Sequence, residues 1–345
     1  MLFFGRKRNR EDDEDDELEE RGFPPRRKIR ERKSPPKPWG KRERFLILFV
    51  VLLTTLTSAF LAASSRKWKL PGLPKFEKPN LNFEQTIILE NNKRQVFDFA
   101  KQFEDGLTNT TSELSGIYGV YVVDLQNNSR YGFNENEQMQ AASLMKLPTM
   151  ALMFKLAQEG DISLSTKYIL KDSDKIPGSG SLYSKPEGTQ VTYLRLLQYM
   201  GKESDNTAFG IVRKILGDEK INGYINQIGL IKTDLEQNLT SPKDMGKFFE
   251  DLWEGRMLSE ENRETMLGFL TDTIWEDILP KYITDFKVAH KYGREVHVIN
   301  DAGIVFSTPP YVLVVMSDGI VDEEALNILP QIIKFSNNFI FDKRK

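Results

Sequence analysis

The chain contains no cysteine and only two histidines among its 345 residues. Without cysteine it has no disulfide bond, no thiol nucleophile and no zinc site of the cysteine type. The patterns G-x-x-x-x-G-K-[ST], H-E-x-x-H and G-x-S-x-G are absent as well, so no signature of a P-loop protein, a zincin or an α/β-hydrolase is present. The two histidines, His290 and His297, fall in predicted strands, where ordinary polar positions explain them at least as well as catalysis.

Charge is distributed unevenly, although the formal net charge is only −2. Residues 1–44 hold 15 basic and 11 acidic residues, whereas residues 64–345 hold 33 and 39. The larger part therefore lacks the basic face of a nucleic-acid-binding protein, and we expect no nucleic-acid partner. The first 44 residues combine charge blocks and prolines with few apolar residues, which predicts a disordered cytoplasmic tail.

One long uncharged run, residues 45–63, has the sequence FLILFVVLLTTLTSAFLAA. At about 1.5 Å per residue it just crosses a hydrocarbon core of roughly 30 Å, which predicts one transmembrane helix. A cleavable signal peptide is the alternative, but its apolar region is shorter and follows a short basic start. A buried core helix is a further alternative. Because basic residues crowd the preceding flank, we expect a single-pass membrane protein with a cytoplasmic N-terminus and an extracytoplasmic remainder.

Residues 64–90 are rich in proline and lysine and predict a linker. The remainder, residues 91–345, opens with a helical pattern and two strands around the turn QNNS. Helical patterns fill its middle, and three strands and a closing helix end it. We therefore predict an α+β domain whose antiparallel sheet is built from both ends of the domain, flanked by helices, with an inserted all-helical lobe.

The pattern S-x-x-K occurs at residues 34–37, 64–67 and 143–146. The first copy lies in the predicted tail and the second at the predicted membrane edge, so neither has a pocket in which to act. The third follows a strand pair and opens an amphipathic helix predicted from Leu144 to Gln158. Pro148 inside this helix removes one backbone bond and predicts a bend.

On a helix, residues three apart share a face, so the Lys146 amine can reach the Ser143 hydroxyl. A lysine activates a serine near neutral pH only if burial or neighbouring cations lower its pKa. An isolated S-x-x-K is more often a first-turn serine beside a solvated lysine. Two further stretches favour chemistry: Ser-Asp-Asn at residues 204–206 and Lys-Tyr-Gly at residues 291–293. Alone, these would be a helix-capping turn and a strand end.

S-x-x-K, S-D-N and a K-T-G-like triplet, in this order, resemble the motif set of class A β-lactamases and penicillin-binding D,D-peptidases. The resemblance extends from about residue 91 to residue 340. It implies a β-lactamase/transpeptidase-like fold and a serine hydrolase that forms an acyl-enzyme with β-lactams or with D-alanyl peptides of the cell wall. It implies no metal and no organic cofactor.

The resemblance also implies a role for each matching residue. Ser143 is the nucleophile, Lys146 accepts its proton, and Ser204, assisted by Lys291, relays a proton to the leaving nitrogen. Lys291 also attracts a substrate carboxylate, and the backbone N–H groups of Ser143 and Arg294 form an oxyanion hole. The implied substrate-binding residues are Asn206, Tyr292, Gly293 and Arg294.

Two departures from the family pattern bear on function. Tyr292 stands where the family usually has threonine or serine. The segment that would hold a glutamate for deacylation is about ten residues shorter than in the lactamases, and Glu236, the only nearby candidate, is more typical of a solvated loop. Two alternatives to a lactamase therefore stay open: a D,D-peptidase that β-lactams inhibit, and a catalytically inert cell-wall-binding module on the same fold.

Overall fold

The computed structural model describes residues 40–65 and 98–344, except for the side chains of residues 41, 43 and 59–65. The chain divides into two compact units, residues 1–80 and 81–345. The described part of the first unit is one helix, α1 (Lys41–Ser65). Most of the predicted tail and linker, and the domain boundary predicted at residue 91, lie outside the described residues.

Membrane crossing was predicted for residues 45–63. Among the helices that the structure describes, none is both long enough and apolar enough to span a bilayer. The predicted membrane span is therefore not found among these helices. The structure does not describe the side chains of its last residues, 59–63.

The second unit is an α+β fold built on a five-stranded antiparallel sheet in the order β2-β1-β9-β8-β7. Its elements, in chain order, are α2 (from residue 98 to 111), β1 (Ile117–Asp124), β2 (Arg130–Phe133), β3 (Met139–Gln140), a 3-10 turn (Ala142–Met145), α3 (Lys146–Glu159), β4 (Lys167–Ile169), β5 (Gln190–Thr192), α4 (Tyr193–Lys202), α5 (Asn206–Leu216), α6 (Asp218–Gln227), β6 (Leu239–Thr240), α7 (Pro242–Trp253), α8 (Glu260–Phe269), α9 (Leu279–Tyr282), β7 (Val288–Glu295), β8 (Val298–Val305), β9 (Tyr311–Asp318) and α10 (Asp322–Lys343). β1 and β2 precede the middle part of the domain and β7 to β9 follow it, so the prediction of a sheet built from both ends is confirmed. The prediction that the inserted lobe is all helical was wrong, because β3 pairs with β6 and β4 pairs with β5 in that middle part.

Hydrophobic side chains cover both faces of the sheet. Successive residues of a strand point to opposite faces. Val120 and Val122 of β1 accordingly join a cluster that includes α10, whereas Tyr121 and Val123 join a cluster that includes α3 and the other helices of the middle. The sheet is thus a central layer with helices on each side.

Strand β7 lies at one edge of this sheet. On its outer side Thr271 pairs with Ala289, and the N–H of His290 donates to the carbonyl of Leu270 at 2.8 Å. From Lys291 to Glu295 that edge has no partner strand among the described residues. An extended ligand can therefore pair with this part of β7.

Helix α3 is the central helix of the helical lobe, with most of its residues buried. It begins at Lys146 rather than at the predicted Leu144, because a 3-10 turn, Ala142–Met145, precedes it. Pro148 therefore lies in the first turn, where a missing N–H costs no bond within the helix. The prediction that Pro148 removes a backbone hydrogen bond from the helix was wrong.

Candidate active site

Ser143 lies in the 3-10 turn between β3 and α3. Ala142, just before it, has a left-handed backbone with a φ of 49°. Such a conformation is strained for a residue with a side chain and clusters at functional sites. The turn is held in place by the neighbouring segment, since the N–H of Ala141 donates to the carbonyl of Asn238 at 2.7 Å. The Ser143 hydroxyl is therefore presented by a fixed and strained backbone.

Lys146 is buried directly beneath Ser143, with 2% of its surface exposed. Its Nζ atom donates to Ser143 Oγ at 2.8 Å, to Asn206 Oδ1 at 2.8 Å and to the carbonyl of Ser204 at 2.6 Å. Ser204 Oγ lies 3.2 Å away. Burial lowers the pKa of Lys146 to about 7, against the opposing charges of Asp205 and Glu295. Near neutral pH this amine can therefore take up a proton from the serine.

The Ser-Asp-Asn stretch is a helix cap and part of this cluster at the same time. Asp205 is the N-cap of α5, and its carboxylate accepts the N–H groups of Ala208 and Leu182, each at 2.8 Å. Ser204 has a left-handed backbone with a φ of 54°. Because Asp205 caps the helix, the side chains of Ser204 and Asn206 are free to contact Lys146.

The loop at residues 176–181 supports the cap from outside. The Ser179 hydroxyl donates to the carbonyl of Ser204 at 2.7 Å, and the N–H of Asn206 donates to the carbonyl of Ser179 at 3.0 Å. Gly180 has a φ of 98°, and a Cβ atom there would overlap the Asp205 carboxylate. The close packing of this loop thus requires glycine at that position.

Strand β7 brings the third motif to the nucleophile turn. Lys291 is 2% exposed and donates to the carbonyl of Tyr292 at 2.8 Å. Burial, followed by the charge of Lys146, holds the pKa of Lys291 well below its ordinary value. Lys291 was predicted to assist Ser204. No hydrogen bond between these two side chains is found among the described residues.

Gly293 is where β7 approaches the nucleophile most closely. A Cβ atom there would stand 3.2 Å from the carbonyl oxygen of Ala141 and 3.4 Å from the nitrogen of Ser143. Such contacts are tight, so a side chain would push the strand away from the turn. Glycine at this position keeps the backbone of Arg294, the next residue, beside Ser143.

Two cavities meet at Ser143. The first, of about 340 Å³, opens toward β7, and the second, of about 230 Å³, opens toward the segment before α7. Ser143, Asn206 and Glu295 line both. A larger cavity of about 460 Å³ lies against α7 and contains none of the predicted site residues. The chemistry therefore locates the candidate site at the two smaller cavities.

Four residues of the first cavity escaped the sequence analysis: Gly178, Ser179, Trp275 and Glu295. The Trp275 ring stacks on Tyr292, with ring centroids 6.0 Å apart and planes inclined by 23°. Its Nε1 atom donates to the carbonyl of Glu203 at 3.0 Å. Trp275 lies in the stretch TDTIWEDILP, which has neither a helical nor an alternating pattern, so no periodic signal could have indicated it.

Glu236 is exposed and lines the second cavity together with Ser143 and Lys146. It belongs to a tight loop closed by a pair of backbone hydrogen bonds between Asp234 and Leu239, at 2.9 and 3.0 Å. The short segment thus brings an acid to the rear of the nucleophile, but leaves it in contact with solvent.

Both histidines lie outside the two cavities. His290 is fully buried, and its Nδ1 atom lies 2.8 Å from Asp301 Oδ1. The Nδ1 atom of His297 lies 2.9 Å from the carbonyl of Ile320. Residues 40–65 and 98–344 contain no group of three or more acids and histidines that could hold a metal ion.

Comparison with known proteins agrees with this geometry. Residues 101–334 match the family model described as the beta-lactamase enzyme family. The chain is 24% identical over 200 residues to beta-lactamase CARB-3 of Pseudomonas aeruginosa, a match covering 52% of this chain and 69% of that protein.

Two solved structures illustrate the likeness in fold. A beta-lactamase from Sphaerobacter thermophilus has 23% identity and a TM-score of 0.63, over 68% of this chain and 95% of that one. A mutant of PBP-A, solved as an acyl-enzyme complex with penicillin G, has 23% identity and a TM-score of 0.64, over 72% of this chain and 97% of that one.

Proposed function

We propose, from the premise that this chain belongs to the beta-lactamase enzyme family, that it forms an acyl-enzyme on Ser143 with β-lactams or with D-alanyl peptides of the cell wall. The family makes the protein a serine hydrolase that acts on amide bonds of the β-lactam type. The observation that carries the proposal is the 2.8 Å between Lys146 Nζ and Ser143 Oγ in a buried setting.

The first step is attack on the substrate carbonyl. Neutral Lys146 removes the proton of the Ser143 hydroxyl while Oγ forms a bond to the carbonyl carbon. The carbonyl oxygen becomes an oxyanion, and the backbone N–H groups of Ser143 and Arg294 are the candidate donors to it. The tight approach of Gly293 to the Ser143 nitrogen supports this pairing of donors.

The second step breaks the carbon–nitrogen bond. The leaving nitrogen needs a proton, and Ser204 Oγ, 3.2 Å from Lys146 Nζ, can donate its own and recover one from the Lys146 ammonium. Asn206 is suited to bind the amide on the acyl side of the substrate. Lys291 is the candidate cation for the substrate carboxylate, and a carboxylate bound beside it would raise its pKa, because an adjacent anion favours the charged form of a lysine.

A D,D-peptidase or transpeptidase activity is the second candidate. The compact loop between Asp234 and Leu239 supports it, because Glu236, the candidate base for deacylation, is exposed to solvent. A poorly positioned base for water leaves the acyl-enzyme long-lived, and a long-lived acyl-enzyme is what makes β-lactams inhibitors. A mutant of PBP-A, solved as an acyl-enzyme complex with penicillin G, is a precedent on the same fold.

We also infer that residues 45–63 anchor the protein in the cell membrane, with the N-terminus in the cytoplasm and the hydrolase outside. The support is the sequence itself: 19 residues without a charge, preceded by the basic flank KRER. Such a run matches the length of a bilayer crossing, and the flank matches the excess of basic residues on cytoplasmic sides.

The direct test is intact-protein mass spectrometry of the full chain after exposure to benzylpenicillin. One added penicilloyl group, mapped to Ser143 and absent in Ser143→Ala, supports the proposal. An unchanged mass in folded protein after prolonged exposure would overturn it and favour the inert cell-wall-binding module.

A further inference from the structure

Glu295 is the last residue of β7 and carries an exposed carboxylate at the place where the two cavities meet. The side-chain amide of Asn238 donates to its Oε1 atom at 3.2 Å. Since Asn238 also binds the backbone of the nucleophile turn through its carbonyl, the carboxylate is held beside Ser143.

The direction of strand β7 determines which end of a bound substrate lies near the Glu295 carboxylate. Lys291, Gly293 and Glu295 alternate along the strand and therefore share one face. Gly293 is opposite Ser143. Because a strand rises by roughly 3.3 Å per residue, Lys291 and Glu295 lie about 7 Å from Gly293, one in each direction along the strand. If the substrate carboxylate lies toward Lys291, the acyl side of the scissile amide lies toward Glu295.

The charged groups around the two cavities leave this end negative. The arginines of the lining are both paired: Arg213 with Asp218 at 2.5 Å, and Arg294 with Asp322 at 2.5 Å. Among the described residues Glu295 and Glu236 take part in no ion pair. Two carboxylates outside any described ion pair therefore border the acyl end of the site.

We propose that Glu295 selects substrates that carry a cationic amine on the acyl side of the scissile amide. This inference rests on the proposed function, because it uses the orientation that an acyl-enzyme on Ser143 requires. An ammonium group there gains attraction from the Glu295 carboxylate, whereas a second carboxylate is repelled. Suitable groups are the α-amine of an aminopenicillin and the side-chain amine of a diamino acid in a peptide.

Three penicillins with the same phenyl ring test this selection. Benzylpenicillin, ampicillin and carbenicillin differ at the α-carbon, which bears hydrogen, an amine or a carboxylate. We expect acylation rate constants in the order ampicillin, benzylpenicillin, carbenicillin at about pH 6.5, where an α-amine is mostly protonated. Glu295→Gln should lower the ampicillin-to-benzylpenicillin ratio about threefold, as for an exposed charge pair, and added salt should do the same.

Glu187→Gln is the matched control, because Glu187 is exposed and lines neither cavity. Ratios unchanged in this control and reduced in Glu295→Gln support the inference. Two outcomes would overturn the inference while the proposed function stands, provided that all three penicillins acylate Ser143. In the first, the ratios of the acylation rate constants are equal in wild type and Glu295→Gln. In the second, these ratios change only in Glu236→Gln. If no penicillin acylates the folded wild type, the proposed function and this inference fall together.

Discussion

The Nδ1 atom of His290 lies 2.8 Å from Oδ1 of Asp301, in a pair of side chains that is fully buried between β7 and β8. Burial lowers the pKa of His290, but the Asp301 carboxylate outweighs it, and the net result is a pKa above the ordinary value. The other carboxylate oxygen of Asp301 accepts the N–H of Leu279 at 2.9 Å. The pair therefore ties the stretch before β7 to the strand that carries Lys291.

This pair should make the stability of the hydrolase unit depend on pH. A pKa that is higher in the folded state means that the charged imidazole favours folding. Its contribution is fully present below the unfolded-state pKa, about 6.5, and is lost as pH rises through the folded-state pKa. We expect the free energy of unfolding, measured in urea, to fall across that window and the slope to diminish in His290→Gln. His297→Gln is the control, and an equal slope in His290→Gln would contradict the assignment.

Acylation should follow the ionisation of Lys146. Because the neutral amine is the base and its pKa is about 7, the acylation rate constant should rise with pH around that value. Lys146→Ala should lower it by about 10²–10⁴, the usual contribution of general-base catalysis. Lys155→Ala, on the same helix and paired with Glu159 near the surface, should leave it nearly unchanged. Stopped-flow measurement with nitrocefin gives both values, and a flat pH profile would argue against Lys146 as the base.

Gly293 should tolerate no side chain without loss of acylation. In Gly293→Val the added atoms must displace the Ala141 carbonyl or the Ser143 nitrogen, which lie 3.2 and 3.4 Å from the Cβ position. A shift of about 1 Å at a reacting group costs up to about 100-fold in rate. Gly223→Ala in α6 has open space around its Cβ and should retain full activity. Wild-type acylation kinetics in a folded Gly293→Val protein would show that the close approach has no catalytic role.

Deacylation should be slow, so that the acyl-enzyme accumulates in the wild type. Breakdown of the ester needs a positioned base for water, and Glu236 lines the rear cavity while remaining exposed. We expect Glu236→Gln to change nitrocefin turnover by less than about twofold, since general-base help is worth about 10²–10⁴ only when the base is in place. Rapid wild-type turnover that disappears in this variant would make Glu236 the base and the protein a true lactamase.

Topology can be tested in intact cells that produce the full chain. If residues 45–63 cross the membrane with the basic flank inside, added protease should remove the large domain and leave the N-terminal tail protected. Antibodies against each end of the chain provide the measurement. If the large domain resists protease in intact cells and is cleaved only after lysis, the predicted orientation is reversed or residues 45–63 do not cross the membrane.

The parts that the sequence predicted are those with local signals. The alternating strands at the two ends of the domain indicated one sheet, and the S-x-x-K spacing put Ser143 and Lys146 on one face. Even the capping interpretation of Ser-Asp-Asn was compatible with function, because Asp205 caps the helix and its two neighbours contact Lys146.

What sequence reasoning missed depends on contacts between distant segments. Trp275 meets Tyr292 across 17 positions of the chain through ring stacking, and no pattern marks such a pair. The start of α3 at Lys146 follows from the strained 3-10 turn, which has no signature of its own. Glu295 could not be identified as a site residue from the sequence, because its proximity to Ser143 and Asn238 depends on where β7 lies in the fold.

The left-handed backbones of Ala142 and Ser204 have a consequence for heat inactivation. Each costs roughly 1–3 kcal/mol and persists only while the surrounding structure enforces it. Warming that loosens the contacts of Asn238 or Ser179 would let both turns relax to ordinary conformations before the sheet melts. Thermal loss of acylation should then precede loss of secondary structure, so the temperature at which the enzyme stops working would lie below the one at which it unfolds.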